Sequence, residues 1–386
     1  MDFELSEEQR AFLDAAREFA SHELAPHASR WDAEEHFPRA TITRAGQLGF
    51  CGLYVAPALG GVGLKRLDAT LVFEALAEAC PSTAAFISIH NMAAWMITEH
   101  AAPEVAQHWG PRLSSGECLA SYCLTEPASG SDAASLRTQA QRDGDHYVLQ
   151  GSKVFISGAG ATDILVVMAR TGAPGAAGIT AFAVPATTPG VHFGKPEHKL
   201  GWHTQPTRSV MLDHVRIPVS HRLGQEGQGF RLALQALDGG RINIAACSVG
   251  AAQAALQAAQ RYLHERQQFG QPLASFQALQ FKLADMATDL VAAQQMVRLA
   301  ASRLDAQHPE ATLFCAMAKR MATDVGFDVC NQALQIHGGY GCTREYPLER
   351  LLRDTRVHQI VEGTNEIMRV IIARRVLQAN LPEVLQ

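Results

Sequence analysis

A chain of 386 residues carries 38 acidic and 33 basic side chains, a formal charge of −5, and 47% of its residues are hydrophobic. With no dense lysine/arginine stripe and no apolar run of membrane-spanning length, that balance excludes a nucleic-acid-binding surface and membrane insertion. The length is enough for two or three domains that each bury a core.

Taken in chain order, residues 1–117 read as a helical domain. The first residues are acidic and lack the basic stretch and apolar core of a secretory signal. Ser6 and Gln9 have the spacing of a capping box, and Phe12, Ala16, Phe19 and Ala20 recur behind them at helical intervals. Gly60, Gly61 and Gly63 mark a loop. The helical pattern returns over 67–79 and 84–100, the second stretch mostly apolar and so expected to be buried. Residues 118–228 change period. Short runs at 118–124, 146–150, 164–169, 180–184 and 209–212 are separated by Gly, Pro and Asp, with no helix between them. They predict a middle domain built as an antiparallel β-barrel or sandwich. Long helices return over 229–265, 275–305 and 310–335, with shorter ones near 345–353 and 365–379, predicting a C-terminal domain over 229–386 like a four-helix bundle. The fold class is therefore α+β. Eight cysteines show neither a C-x-x-C pair nor zinc spacing, so no metal site is expected and the thiols read as reduced.

Four places carry groups suited to chemistry. Residues Tyr122, Cys123, Leu124, Thr125, Glu126, Pro127, Ala128, Ser129, Gly130 and Ser131 leave a strand and turn, offering hydroxyls and bare N–H groups to a heterocycle edge or a phosphate. Phe155, Ile156 and Ser157 put an aromatic face and a hydroxyl at another strand end. Arg266, Gln277 and the segment Gln335, Ile336, His337, Gly338, Gly339 place a cation and exposed backbone donors at helix ends, groups that hold a pyrophosphate. Finally, Glu362 stands beside Gly363 and a helix start, where a base could meet a substrate next to uncovered N–H groups. Gly239 and Gly240 lie inside the predicted helix 229–265, where each costs about 1 kcal/mol relative to alanine. Close packing or a ligand at the backbone would explain them, and Arg241 follows directly. No phosphate-binding P-loop, G-x-S-x-G elbow, H-E-x-x-H or Rossmann glycine pattern is present.

Together these segments resemble the acyl-CoA dehydrogenase family over essentially the whole chain. The matching motifs are the Leu-Thr-Glu-Pro-x-Ser-Gly-Ser-Asp run at 124–132, Arg266-Gln-Gln-Phe-Gly270, Gln335-Ile-His-Gly-Gly-Tyr-Gly341 and Glu362-Gly-Thr-Asn-Glu366. Finer wording resembles the branch acting on isobutyryl-CoA: Ser88-Ile-His-Asn-Met92, Trp95-Met-Ile97, Ala120-Ser-Tyr-Cys-Leu-Thr125, Gln205-Pro-Thr-Arg208 and Gly239-Gly-Arg-Ile-Asn-Ile244. Phe155 departs from the tryptophan that many members carry there, a departure that agrees with that branch.

The resemblance implies FAD as cofactor, held by residues 122–131 and 155–157, with Ser131 also reaching the CoA chain. Arg266, Phe276, Gln277 and 335–339 would contact the FAD of a neighbouring subunit, implying a homotetramer. Thr364, Asn365 and Glu366 would close over the cofactor. Asp238, Gly239, Gly240, Arg241, Gly363 and Arg374 would lie along the acyl-CoA substrate. Glu362 would take the α-proton, its own N–H and a ribityl hydroxyl would polarise the thioester carbonyl, and flavin N5 would accept the β-hydride. In some branched-chain relatives the base sits just before the arginine matching Arg241; here that position is Gly240, leaving Asp238 as the nearest rival. The implied reaction is isobutyryl-CoA to methacrylyl-CoA in valine catabolism, with an electron-transfer flavoprotein as acceptor. 2-Methylbutyryl-CoA, butyryl-CoA or an oxidase-like use of oxygen are the alternatives. The setting would be a bacterial cytoplasm, or a mitochondrial matrix for a processed eukaryotic protein. Trp95 and Met96 could narrow the acyl pocket or simply pack the core.

Overall fold

The computed structural model describes residues 4–378. Its first part is helical: α1 (Glu7–Phe19), α2 (Ala28–Ala33), α3 (Arg39–Gln47), α4 (Arg66–Ala79), α5 (Pro81–His100) and α6 (Pro103–Ser114). The capping box forms, with the Gln9 N–H donating to Ser6 Oγ at 3.1 Å and the Ser6 N–H donating to the Gln9 side chain at 3.1 Å. Helix α5 is apolar on nearly every face and buried accordingly. Two of its buried polar residues, at 90 and 91, act as ties. His90 Nε2 donates to the Leu113 carbonyl and Nδ1 accepts from the Ala120 N–H, fastening α6 and the first strand to α5. Burial pushes this imidazole down to about 4, so it stays neutral. Asn91 satisfies the Phe50 carbonyl and the Leu53 N–H.

Eight strands follow: β1 (Ala120–Cys123), β2 (Gln139–Asp143), β3 (His146–Ser157), β4 (Ile164–Arg170), β5 (Ile179–Pro185), β6 (Val191–Phe193), β7 (Thr207–Pro218) and β8 (Arg222–Leu223). They form one open sheet in the order β6-β7-β3-β2-β4-β5-β8, and β1 also pairs with β4. The expected antiparallel barrel or sandwich is therefore corrected. No closed barrel forms, because β6 and β8 are not paired to each other, and the sheet is mixed, because β1 and β2 both run parallel to β4. A parallel pair needs a long crossover. Here the β2–β3 hairpin supplies it in place of a helix, so a run of strands without helices did not imply antiparallel pairing throughout.

The last part contains α7 (Gly229–Glu265), a small hairpin of β9 (Gln267–Gln268) and β10 (Gln271–Pro272), then α8 (Gln277–Asp305), α9 (Ala311–His337), α10 (Leu348–His358) and α11 (Asn365–Gln378). Helix α7, 37 residues and about 55 Å long, packs on α4, α5, α8, α9, α10 and the sheet. It is the one described helix with the length and apolarity of a membrane span, and most of that stretch is buried inside the molecule. Gly250 lets it touch α4: a Cβ there would lie 2.0 Å from the Glu74 carbonyl oxygen. All eight cysteines are free, seven buried and Cys342 exposed.

One loop links the three parts. Between β6 and β7, Lys199 Nζ donates to the carbonyls of Trp202 (2.8 Å) and Gln205 (2.5 Å). Thr204 Oγ1 reaches Ser82 of α5, and the Trp202 N–H donates to Asp354 of α10 at 2.7 Å. The Trp202 indole N–H donates to His358 Nε2 at 3.2 Å, while Ser248 of α7 holds the other ring nitrogen at 2.7 Å.

Candidate active site

Where the sheet meets α5, α7 and the α10–α11 turn, a cavity of about 1250 Å³ opens. Its walls include Tyr122, Leu124, Thr125, Gly130 and Ser131, the strand end Phe155, Ile156 and Ser157, Asp238 and Arg241, and the turn Glu362, Gly363 and Thr364. The structure thus brings thirteen of the expected residues to one space.

The sheet side is shaped by a β-bulge. The β3–β7 register slips between Lys153 and Ile156, and Phe155 takes a left-handed φ of 57°. A bulge re-aims a side chain; here it leaves Phe155 67% exposed on the cavity wall. Lys153, fully buried, donates to Glu126 Oε1 at 2.8 Å and to the Leu124 carbonyl. Burial works to raise the Glu126 carboxyl, but Lys153 and the N–H groups of Arg137 and Thr138 outweigh it and hold the group low. Glu126 therefore folds the 124–131 turn rather than facing the cavity. Ser129 caps the same turn by donating to the Asp132 carbonyl, Cys123 is in the sheet core, and Pro127 and Ala128 are exposed. A Cβ at Gly130 would meet nothing within 4 Å, so the backbone there is open.

Opposite lies Glu362. Its φ is 56° and that of Gly363 is 95°. A non-glycine residue in this region costs about 1–3 kcal/mol and persists only when its surroundings fix it. The residue keeps some exposure, but both carboxylate oxygens are buried with no hydrogen-bond partner. Burial pushes this carboxyl up to about 7 against the opposing pull of Arg241 and Lys319. The Glu362 backbone N–H also makes no hydrogen bond among the described residues. Asp238 is different. Burial raises it too, yet its oxygens accept from Arg241 at 2.7 Å and Thr312 at 2.6 Å. An occupied carboxylate is the poorer base.

The two mid-helix glycines resolve into separate clearances. A Cβ at Gly240 would lie 2.2 Å from Glu362 Oε2, and one at Gly239 would lie 2.3 Å from an Arg66 guanidinium nitrogen. Neither lines the cavity; they make room for the groups that do or that pack behind it.

A second depression of about 460 Å³ collects Arg266, Ile336, His337, Gly338 and Gly339 beside Tyr262 and Tyr340. His337 Nδ1 donates to the Ala333 carbonyl and the ring stacks on Tyr262 with centroids 4.2 Å apart, which fixes the imidazole in the depression. Phe276 and Gln277 lie at the start of α8, Phe276 against the ring of Phe269, itself 93% exposed on the β9–β10 hairpin. Gln335 is exposed on α9, and Arg374 and Glu366 are exposed on α11. Asn365 is buried and bonded to Lys319, Thr323 and Asp324.

Sequence reasoning missed Trp202 and Lys199, which line the cavity from the β6–β7 loop just ahead of the Gln205-Pro-Thr-Arg208 motif, and Phe230, Leu234 and Leu237 on α7. It also missed Lys319, whose position in the sequence is a lysine directly after the apolar run 313–318. From α5, Ile89 and Met92 reach the cavity. Met96 is core, and Trp95 packs near Arg66 and His100. Among the described residues no group of three His, Cys, Asp or Glu could hold a metal ion.

Three family models match in succession: the acyl-CoA dehydrogenase N-terminal domain over residues 6–117, the middle domain over 121–215 and the C-terminal domain over 227–377. The chain is 54% identical to a mitochondrial isobutyryl-CoA dehydrogenase of Bos taurus, covering 97% of this chain and 90% of the relative. It is 53% identical to the mitochondrial isobutyryl-CoA dehydrogenase of Dictyostelium discoideum, covering 96% and 89%. The solved butyryl-CoA dehydrogenase of Megasphaera elsdenii matches with a TM-score of 0.95 at 39% identity, over 98% of this chain and all of that one. With its orphaned carboxylate facing an aromatic-walled cavity in that same three-part fold, the chain belongs to the acyl-CoA dehydrogenase family.

Proposed function

We propose that this enzyme oxidises a short branched acyl-CoA, isobutyryl-CoA, to the α,β-unsaturated thioester methacrylyl-CoA, with Glu362 as the base. The family's members are flavoproteins. The residues present fit FAD: exposed Phe155 and the Thr125, Ser131 and Ser157 hydroxyls would hold it on the sheet side, and Trp202 would wall it from the loop. Bound FAD would supply the acceptor for the β-hydride.

The observation that carries the reading is the Glu362 carboxylate, buried, unpartnered and raised to about 7. A free carboxylate is too weak a base for the α-proton of a thioester. Desolvation strengthens it, and a pKa near the working pH keeps it ionised often enough to act. The unpaired Glu362 N–H is the matching donor for charge developing on the thioester oxygen. Arg241 would steer the anionic ligand while keeping Asp238 occupied. The 53–54% identity to two isobutyryl-CoA dehydrogenases supports the acyl group. Ile89 and Met92 would restrict its length. One methylene more or less changes selectivity by about 10- to 200-fold.

Protein purified without added cofactor is expected to be yellow and to contain FAD. With an electron-transfer flavoprotein or a dye as acceptor, turnover should be fastest on isobutyryl-CoA, then on 2-methylbutyryl-CoA and butyryl-CoA. Glu362→Gln should keep flavin and ligand and lose turnover ~10³-fold. Undiminished turnover would assign the base elsewhere. Rapid peroxide formation without an added acceptor would favour an oxidase.

A further inference from the structure

We propose that Lys319 of α9 is a positioning residue for Glu362: its ammonium grips the Gly363 carbonyl and, through Asn365, the start of α11, and so sets both the direction and the proton affinity of the Glu362 carboxylate. This rests on Glu362 being the base.

The turn at 362–363 has two consecutive left-handed residues and so needs external restraint. Two buried cations provide it from two helices. Lys319 Nζ donates to the Gly363 carbonyl at 2.8 Å, and Arg241 Nε donates to the Glu362 carbonyl at 3.2 Å. A second Lys319 proton goes to Asn365 Oδ1 at 2.8 Å, and the Asn365 amide donates to Thr323 and Asp324, one turn further along α9. Asn365 is therefore a bracket between α9 and α11. A lysine with no solvent exposure is costly unless its charge is used.

The groups facing Glu362 are Arg241 and Cys247 of α7, Lys319 of α9 and Tyr122 of β1. Those facing Lys319 are Glu362, Arg241, Asp324 on its own helix, His358 of α10 and Glu366 of α11. Cys247 and Tyr122 are neutral, so Arg241 and Lys319 are the cations opposing the burial of Glu362. Burial lowers Lys319 to about 7, with Glu362 opposing, so the two groups exchange protons in the same range and titrate as a pair.

The test compares flavin-loaded Lys319→Gln and Lys319→Arg with the wild type. Glu362→Gln identifies the Glu362 carboxyl band in infrared difference spectra. The pH midpoint of that band is read without turnover, and the acid limb of kcat/KM is read beside it. Glutamine keeps a donor for the Gly363 carbonyl but no charge; its midpoint and acid limb should both rise by about one unit. Activity one unit below the wild-type midpoint should then fall close to tenfold. Arginine keeps a permanent charge, and its midpoint should stay at or below the wild-type value. A purely structural defect would move both variants the same way. A wild type that turns over, with an unshifted midpoint in Lys319→Gln, overturns the role of Lys319 and leaves the base standing. Full turnover by Glu362→Gln overturns the base itself. If the glutamine variant does not fold, a raised midpoint in Lys319→Arg is enough to overturn the proposal.

Discussion

Glu362 carries a burial cost that Arg241 and Lys319 relieve only in part. Its folded carboxyl sits at about 7, above the ordinary 4.5. Between those values the unfolded chain has released the proton and the folded one keeps it, so stability falls as pH rises through this window. Below about 4.5 the penalty is absent; above 7 it is complete, at most about 3 kcal/mol. Glu362→Gln should therefore raise Tm at pH 8 and leave it nearly unchanged at pH 4, which paired thermal melts would check. A melt difference independent of pH would mean that the carboxylate is not desolvated. At this scale the sequence was informative where a motif is local. The run 361–366 pointed to Glu362 because carboxylate, glycine and helix start are neighbours in the chain. Lys319, 43 positions earlier, and Trp202, 160 earlier, carried no such signal. Their roles arise only when α9 and the β6–β7 loop fold against the turn.

Among the elements, α7 shows how one residue type answers two demands. Alanine at Gly240 would gain about 1 kcal/mol of helix propensity. Its Cβ, however, would press on the Glu362 carboxylate, the movable end of a side chain. Gly240→Ala should keep or slightly raise stability while kcat falls roughly tenfold or more from a displaced base. Gly250→Ala meets backbone instead, the Glu74 carbonyl of α4. It should destabilise by about 1–3 kcal/mol through overpacking, without a specific effect on kcat. Denaturation curves and steady-state kinetics on the two variants separate these outcomes. The extent of α7 was readable, since the predicted 229–265 agrees with Gly229–Glu265. Strand β2 was not: Gln-Ala-Gln-Arg-Asp has a single buried residue and no apolar alternation. Strand β6 has three residues and lies at a sheet edge. Without β2, the parallel pairing of β1 with β4 could not be foreseen.

Over the whole molecule, the residues expected to hold cofactor fall into two separate places. Arg266 and the 335–339 segment, beyond the far end of α7, share no wall with the cavity around Glu362. If the second depression completes a neighbour's site, Arg266→Ala should weaken flavin retention several-fold while leaving Glu362 intact, and dissociation of the oligomer on dilution should release flavin in step. Sedimentation and flavin absorbance measured on the same samples test that link; flavin kept by isolated monomers would break it. The order helical, β, helical was legible because each part has its own hydrophobic period. The openness of the sheet and the joining of all three parts through the loop at Trp202 were not. That loop has a further use. Of the four tryptophans, Trp202 is the one that lines the main cavity, and it is 4% exposed. Its indole leans on His358, which burial holds down to about 3, so no imidazolium forms to quench it at working pH. The protein thus carries its own fluorescent reporter: blue-shifted emission from Trp202 should be quenched by a bound flavin and return as the flavin leaves.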